Sequence, residues 1–354
     1  MIRIVWPAAA VAGALALGRV PASMAQSASP PAPGLFESEQ LLALRLSTDL
    51  KALMDDRDSL KATTHAGTLS YVDASGQRLS IDVALKTRGH WRRQKRNCEF
   101  APIKVDFPSK KEQPRRSLFR GEGDLKLVTH CRTKDAAFEQ YVLREYLVYK
   151  LYNLLGPVSF RARLARTTYV DTAGKLDSVT RYSFLIEGDK RVAARHNGTL
   201  METRGARFDD LDAEGAAVLS AFEYLIGGTD WSLVGLHNIV LVQSKENGGV
   251  IPVPYDFDWT GIVWTKYSFP DYRLPIKTVR ERVYRGICRT PQEWAPVLRK
   301  FRDQRTALYA VYGTLPDLDP KYVKDTREYL DDFYKVIDSP GLVKAELINN
   351  CKPA

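Results

Sequence analysis

The spacing of apolar positions changes along the first half of the chain. Between residues 37 and 57, leucines recur at helical spacing, which predicts a helix. Two β-rich runs follow, Thr68–Val72 and Leu79–Lys86, and the turn Asp73-Ala74-Ser75-Gly76 between them indicates a hairpin. Four further segments have the pattern of strands: Ile103–Phe107, Leu125–Thr129, Phe160–Val170 and Thr180–Ile186.

Helical spacing dominates much of the remainder. A long helix is predicted over Lys134–Leu155, with Thr133 as its N-cap. A second is predicted over Leu211–Ile226, where Gly227-Gly228 ends it. Two C-terminal segments share this spacing: Trp294–Leu308 and Lys321–Val336.

A β-hairpin is predicted around Asn247-Gly248, because this dipeptide between β-rich runs is the strongest short hairpin signal. If the hairpin turns about Asn247, then Asn238 and Asp256 lie equally far from its tip and face each other at its open end. Asp230, in the preceding turn, and Asp258, just beyond the hairpin, then fall close by. We therefore expect one amide and up to three carboxylates in one pocket.

Such a group of oxygen atoms suits Mg²⁺ or Mn²⁺. We expect Asn238 and Asp256 to be metal ligands and Asp258 to be a second ligand or a support. Asp230 is the candidate catalytic base or acceptor-orienting acid. Taken singly, Asp230 is an ordinary turn aspartate and Asp256-Phe257-Asp258 an ordinary solvated strand end, so the prediction depends on the grouping.

The N-terminus and the cysteines predict export. Residues 1–25 combine a basic start, a short apolar run and small residues before Ala25, as in a cleaved signal peptide; an uncleaved anchor is the alternative. Residues 26–36 have the composition of a flexible lead-in, and we expect no transmembrane segment in the mature chain. Cysteines in an exported chain should pair, and of three connectivities we favour Cys98–Cys131 with Cys288–Cys351.

The chain has 354 residues and a formal net charge of +10. This excess favours anionic partners such as nucleotides, phosphorylated polymers or membrane headgroups; a generally basic protein is an equally good interpretation. The content of 44% hydrophobic and 27% charged residues argues against a disordered chain. Because the sequence has no Cys-x-x-Cys pair and its histidines lack ligand spacing, a zinc site is not expected.

The order of these elements resembles the spore-coat-H (CotH) type of atypical, kinase-like protein, from about Thr87 to Gly261. Five motifs carry the resemblance: Arg88-Gly89, Lys104-Val105-Asp106-Phe107, Leu143-Arg144-Glu145-Tyr146-Leu147, Phe184-Leu185-Ile186-Glu187 and Pro254-Tyr255-Asp256-Phe257-Asp258. The chain departs from the family in two places. The turn after Arg88 lacks the usual Gly-Asn-Ser-like sequence, and Asn238 follows Asp230 by eight residues, a longer gap than the five of ordinary kinases.

The resemblance implies an α+β, kinase-like fold. Residues 37–187 would form an N-lobe with a small antiparallel sheet and one helix, 134–155. Residues 188–354 would form a larger, mostly helical C-lobe that carries the hairpin within 227–261.

Nucleotide contacts are also implied by the resemblance. Lys104 would reach the α- and β-phosphates of ATP; a lysine there otherwise faces solvent, and Lys126 is the alternative for the same role. The turn at Arg88 and the basic loop His90–Arg96 would cover phosphate, with Gly89 permitting close backbone approach and Arg92 and Arg93 offering charge, although the loop is also typical of a solvated basic turn. Glu187 would lie beside adenine through its backbone.

A glutamate of the long helix would pair with Lys104 in such a fold. Helical periodicity places Glu139 on the buried face of that helix, whereas the family motif points to Glu145. Both stay candidates, and either could instead be a surface or arginine-paired glutamate.

We therefore expect an exported atypical kinase that transfers a phosphoryl group from ATP, bound with Mg²⁺ or Mn²⁺, to a protein or envelope acceptor, with no nucleic-acid partner. The alternative is a non-catalytic envelope or cell-surface protein that binds an anionic polymer on the same scaffold. A metal-dependent hydrolase or nuclease would share the carboxylates but would not need Lys104.

Overall fold

Seven strands close into a β-barrel in the computed structural model, which describes residues 34–58 and 60–352. The strands are β1 (Leu42–Thr48), β2 (His65–Val72), β3 (Arg78–Thr87), β4 (Ile103–Asp106), β5 (Asp124–Val128), β6 (Ala162–Asp171) and β7 (Val179–Ile186). Around the barrel they follow the order β1-β2-β3-β4-β5-β7-β6. Neighbouring strands are antiparallel except β1 and β6, which pair in parallel from Leu42–Ala165 to Thr48–Asp171.

Strand β1 closes the barrel and corrects the expected fold. The predicted helix over 37–57 is wrong for most of its length: β1 replaces it, and only α1 (Leu50–Asp55) is helical. Leu42, Leu44 and Leu46 of β1 are all buried and alternate with more exposed residues, so the leucines satisfy a period of two as well as a loose helical spacing. Because β1 joins the two edges of the sheet, the expected kinase-like, two-lobed fold with a small antiparallel N-lobe sheet is wrong.

The barrel is filled by alternate residues of its strands, as in other small barrels. Inward-facing side chains with at most 1% exposure include Leu46, Leu85, Val105, Leu125 and Leu127. This interior forms a core distinct from the one around the helices.

A second core lies between the outer face of β6–β7 and the helices. The helices are α2 (Ala137–Leu155), α3 (Asp189–Arg195), α4 (Ala213–Ile226), α5 (Pro291–Asp303), α6 (Arg305–Val311), α7 (Pro320–Ile337) and α8 (Pro340–Val343). A small antiparallel sheet, in the order β10-β9-β8, contains β8 (Gly198–Met201), β9 (Ile239–Ser244) and β10 (Val250–Pro254). Helix α4 and this sheet carry the residues predicted for the site.

Most other predicted elements are present with shifted ends. Helix α2 begins three residues later than expected, with Ala136 rather than Thr133 at its N-cap, and Asp135 Oδ1 accepts a hydrogen bond from the Ala137 amide at 3.1 Å. Helix α4 ends as predicted at Gly227, whose left-handed backbone (φ 64°) is readily adopted by glycine.

Both predicted disulfides, Cys98–Cys131 and Cys288–Cys351, are confirmed. Within residues 34–58 and 60–352, no helix is long and apolar enough to cross a membrane. Both findings are compatible with export. The predicted signal peptide, residues 1–25, and residues 26–33 of the lead-in lie outside the described residues.

Candidate functional site

One pocket of about 190 Å³ lies between the loop after β3, the turn after α4 and the open end of the β9–β10 hairpin. Five residues predicted from the sequence line it: Arg88, Asp230, Asn238, Asp256 and Asp258. Whole-ligand pockets usually measure about 300–1,000 Å³. The enclosed volume therefore suits a phosphate group with a cation better than a complete nucleotide.

The hairpin delivers two of these residues in a register one residue away from the expected one. Pro254 pairs with Ile239, and the Tyr255 amide donates to the Asn238 carbonyl at 3.0 Å. Asn238 therefore lies opposite Tyr255, and Asp256 lies one residue further along. The expectation that Asn238 and Asp256 face each other directly is wrong, but both lie at the open end.

Both residues have a left-handed backbone, with φ of 55° at Asn238 and 63° at Asp256. Asparagine and aspartate adopt this conformation more readily than other non-glycine residues. At Asn238, just before β9, and at Asp256, just after β10, this conformation turns the chain away from the strand beside the pocket. Backbone conformations of this kind cluster at functional sites, which makes the open end of the hairpin a candidate.

Asn238 and Asp256 each keep one oxygen available. The Asn238 Nδ2 donates to the carbonyl of Asp230 at 2.7 Å and to its Oδ2 at 3.2 Å, which leaves Asn238 Oδ1 without a partner among the described residues. Asp256 Oδ1 accepts from Arg92 at 2.8 Å; Asp256 Oδ2 has no partner in the described ranges, and the side chain is 29% exposed.

The two oxygens are of the type that Mg²⁺ commonly uses, since this ion takes one or two side-chain oxygens together with water and substrate phosphate. A metal site whose ligands all come from the protein would need a larger cluster of side chains. No cluster of three or more His, Cys, Asp or Glu side chains that could hold a metal occurs among residues 34–58 and 60–352.

Asp258 is enclosed by protein groups. Its carboxylate is 4% exposed, lies 3.2 Å from Arg92 Nε, and accepts a hydrogen bond from the Tyr267 hydroxyl at 2.9 Å. Burial raises the pKa of the Asp258 carboxyl to about 7, against the opposing effect of Arg92. The structure thus gives Asp258 surroundings that suit a support rather than a metal ligand.

The two candidate glutamates of α2 lie in different places. Glu145 is buried, with Oε2 3.3 Å from Arg92 Nη1, next to the pocket. Glu139 lies on the other side of the helix, where its Oε1 accepts from the Tyr182 amide at 2.7 Å. The periodicity, which placed Glu139 on the buried face, was wrong: Glu145 is the buried glutamate and Glu139 is 25% exposed. Because α2 is buried on nearly all sides, its apolar stripe is a poor guide to the buried glutamate.

Neither glutamate contacts Lys104. Lys104 is 44% exposed and pairs with Asp106 at 2.7 Å. Lys126, the alternative, pairs with Asp189 and lies over the rings of Phe160 and Tyr255 at 4.9 and 4.8 Å. The expected lysine–glutamate pair is thus replaced by a pair between Arg92 and Glu145.

Glu187 is fully buried and is not a residue of the pocket. Its carboxylate accepts from Arg195 at 2.8 and 3.0 Å, and its amide donates to the Arg161 carbonyl at 3.0 Å. With its amide engaged in this way, the Glu187 backbone has a structural contact where an adenine contact was expected.

Arg88 provides a positive charge in the pocket that is not paired with a described carboxylate and can contact a ligand. Its guanidinium makes no ion pair with any residue in the described part of the chain. Burial alone would raise the pKa of Asp256, but Arg92 and then Arg88 outweigh it and the pKa is lowered. The adjacent Gly89 has φ 88°, and a Cβ there would meet open space, so glycine is favoured by backbone conformation rather than by close packing.

His237 and two tryptophans complete the pocket and were missed from the sequence. His237 Nε2 lies 3.0 Å from Asp230 Oδ1, and this hydrogen bond raises the pKa of His237. Trp91 and Trp259 contact edge to face, with ring centroids 5.8 Å apart. The position of His237 directly before Asn238 was the one available signal, and no motif marked the tryptophans.

The sequence matches no protein-family model, and no similar sequence was found among curated proteins. The resemblance to the spore-coat-H type therefore stays a prediction. The geometry of the pocket carries the functional argument.

Proposed function

We propose that this protein is an exported phosphotransferase whose reaction centre is the pocket at the open end of the β9–β10 hairpin. The phosphoryl donor is a nucleotide such as ATP with Mg²⁺ or Mn²⁺, and the acceptor is a hydroxyl of a protein or envelope component. The observation that carries the proposal is the convergence of Asn238 and Asp256, each with one available oxygen, on a pocket that also holds Asp230 and the unpaired Arg88.

Phosphoryl transfer suits this set because it depends on positioning and charge stabilisation more than on covalent chemistry. Arg88 binds the phosphate oxygens. Asn238 and Asp256 would hold the divalent cation, which when bound would offset negative charge on the phosphates.

Asp230 orients the acceptor hydroxyl and takes its proton. The acceptor oxygen forms a bond to the γ-phosphorus as the bond from that phosphorus to the β,γ-bridging oxygen breaks, and the nucleoside diphosphate leaves. His237, hydrogen-bonded to Asp230 at 3.0 Å, holds this carboxylate in place and can pass the proton to solvent. Entry to an oxidising compartment through a signal peptide in residues 1–25 belongs to the same proposal, since the two disulfides require such conditions.

Equilibrium binding of a fluorescent ATP analogue tests the proposal. We expect binding that requires Mg²⁺ or Mn²⁺ and that is lost in Asp256→Asn, a variant that keeps the size of the side chain. Asp177→Asn is the matched control, because Asp177 is exposed between β6 and β7 and has no hydrogen bond or ion pair to a described residue. Folded wild-type protein that binds no nucleotide with either metal would refute the proposal.

A second candidate is non-catalytic binding of an anionic polymer. It is favoured by three lysines, Lys86, Lys104 and Lys126, that stand side by side on adjacent strands, together with the net charge of +10. Salt-sensitive binding of a polyphosphate that is reduced by Lys86→Ala and unaffected by Asp256→Asn would support this function.

A further inference from the structure

Arg92 occupies the centre of a buried cluster of acids. Its guanidinium is 3.3 Å from Glu145 Oε2, 2.8 Å from Asp256 Oδ1 and 3.2 Å from Asp258 Oδ2. The arginine side chain is 8% exposed. A single guanidinium group therefore forms ion pairs with three carboxyl groups.

Carboxyl groups outnumber cations in this cluster. The second oxygen of Glu145, Oε1, is buried and has no hydrogen-bond partner among the described residues. A buried acceptor without a partner is costly, and so is an incompletely paired buried charge. Glu145 Oε1 is thus a buried ligand atom without a partner beside Arg92, and a further proton or cation at this oxygen would relieve that cost.

Arg92 also joins three segments that are far apart in sequence. It lies in the loop after β3, Glu145 lies on α2, and Asp256 and Asp258 follow β10. The Cys98–Cys131 disulfide holds the end of the same loop. Arg88 directly follows β3 in the same loop, and its amide donates to the Pro102 carbonyl at 2.8 Å.

We propose that Arg92 is a positioning residue that acts as a fixed internal cation among Glu145, Asp256 and Asp258 and thereby keeps a second metal ion out of the pocket. It engages Asp258 and one oxygen of Asp256, so the pocket offers ligands for a single ion at Asp256 Oδ2 and Asn238 Oδ1. The claim that the wild-type pocket binds one ion depends on the proposed function. The claim that a second ion is excluded depends only on the ion pairs of Arg92.

Titration with Mn²⁺ in the absence of nucleotide tests this role, read by calorimetry and by the electron paramagnetic resonance of free Mn²⁺. We expect wild-type protein to bind no more than one ion. Arg92→Gln removes the guanidinium and frees three carboxylates, so we expect one additional bound ion and a larger rise of Tm with Mn²⁺ than in wild type. The matched control is Arg93→Gln, because the neighbouring Arg93 side chain has no ion pair in the described ranges and should change neither readout.

Arg92→Gln leaves three buried acids without their cation and could fail to fold without metal. Arg92→Gln with Glu145→Gln reduces that surplus and keeps Asp256 and Asp258, so we expect it to fold and still to gain an ion, more weakly. A merely structural arginine would lower Tm without changing the number of bound ions.

Two outcomes would overturn the proposal: wild-type protein that binds two Mn²⁺ ions, or the folded double variant with no gain over wild type. Failure of the proposed function has a different signature, because loss of nucleotide binding leaves the Mn²⁺ count in the Arg92 variants unaffected. The two proposals can thus fail separately.

Discussion

Two cationic regions occupy neighbouring parts of the barrel and differ in how their charge is balanced. In the lysine row, Lys86, Lys104 and Lys126 are cross-strand neighbours on β3, β4 and β5. Like charges directly opposite each other are unfavourable, and local acids relieve them: Asp106 pairs with Lys104 and Asp189 with Lys126.

The pocket loop distributes its charge unevenly. Arg92 pairs with three carboxylates, whereas Arg88, four residues earlier, has no ion pair in the described part of the chain. Two of the three lysines in the row are thus paired with neighbouring acids, while the pocket has both a cation and oxygens without a partner among the described residues. The charge of the row is therefore mostly balanced within the fold, whereas more of the charge in the pocket can contact a ligand.

The largest difference between the two regions should be in stability. Arg92→Ala leaves Glu145 and Asp258 buried without their cation, and removal of one partner from a buried pair costs about 3–5 kcal/mol. We expect urea denaturation to show a loss of this size in the free energy of unfolding. A loss below about 1 kcal/mol would mean that Arg92 contributes no more to stability than a residue of an exposed ion pair does.

The second difference should be in ligand affinity. Arg88→Ala should weaken binding of the ATP analogue by about tenfold or more, because a hydrogen bond to a charged group contributes about 1.5–3 kcal/mol. The control is Arg45→Ala, an exposed arginine of β1 without an ion pair to a described residue. Equal affinities for the two variants would remove Arg88 from the site.

The acid beneath the pocket should make stability depend on pH. Burial raises the pKa of Glu223, on α4, from 4.5 to about 8. The folded chain therefore binds this proton more tightly than the unfolded chain, and the stabilisation present below pH 4.5 is lost progressively as pH rises towards 8.

Glu223→Gln should accordingly flatten the decline in unfolding free energy between pH 5 and pH 8, measured by urea denaturation at each pH. Glu202→Gln, at an exposed glutamate, is the control. The same decline in Glu223→Gln as in wild type would assign the pH dependence to other groups.

The smallest effect is expected in the lysine row. Lys104→Ala removes a half-exposed pair with Asp106 and should change the unfolding free energy by less than about 1 kcal/mol. Binding of the ATP analogue should stay the same. A marked loss of nucleotide affinity in Lys104→Ala would mean that the lysine row, rather than the pocket loop, contacts the phosphate.

The sequence was informative where a local signal determines the geometry. Asn247-Gly248 predicted the hairpin that brings Asn238 and Asp256 to one end, and the glycine at 227 marked the end of α4. The one-residue error in register arose because the turn is centred between Glu246 and Asn247 rather than on Asn247.

Non-local contacts could not be predicted in the same way. The leucines of β1 fit two periodicities, and the strand is selected by its pairing with β2 and with β6, the latter more than a hundred residues later. The partner of Glu145 was likewise hidden: Arg92 is one of several basic residues in its loop, and nothing in the spacing shows that it points inward. The closed barrel and the acid cluster thus both depend on contacts between segments that are distant in sequence.

The Cys98–Cys131 disulfide determines in which compartments the pocket loop is covalently restrained. It fastens the loop that carries Arg88 and Arg92 to the segment after β5, so oxidation of the cysteines adds a covalent restraint to this loop. Chain that remains among cytosolic reductants would lack this fastening. Under the proposed function, oxidation during export would complete the covalent support of the pocket loop.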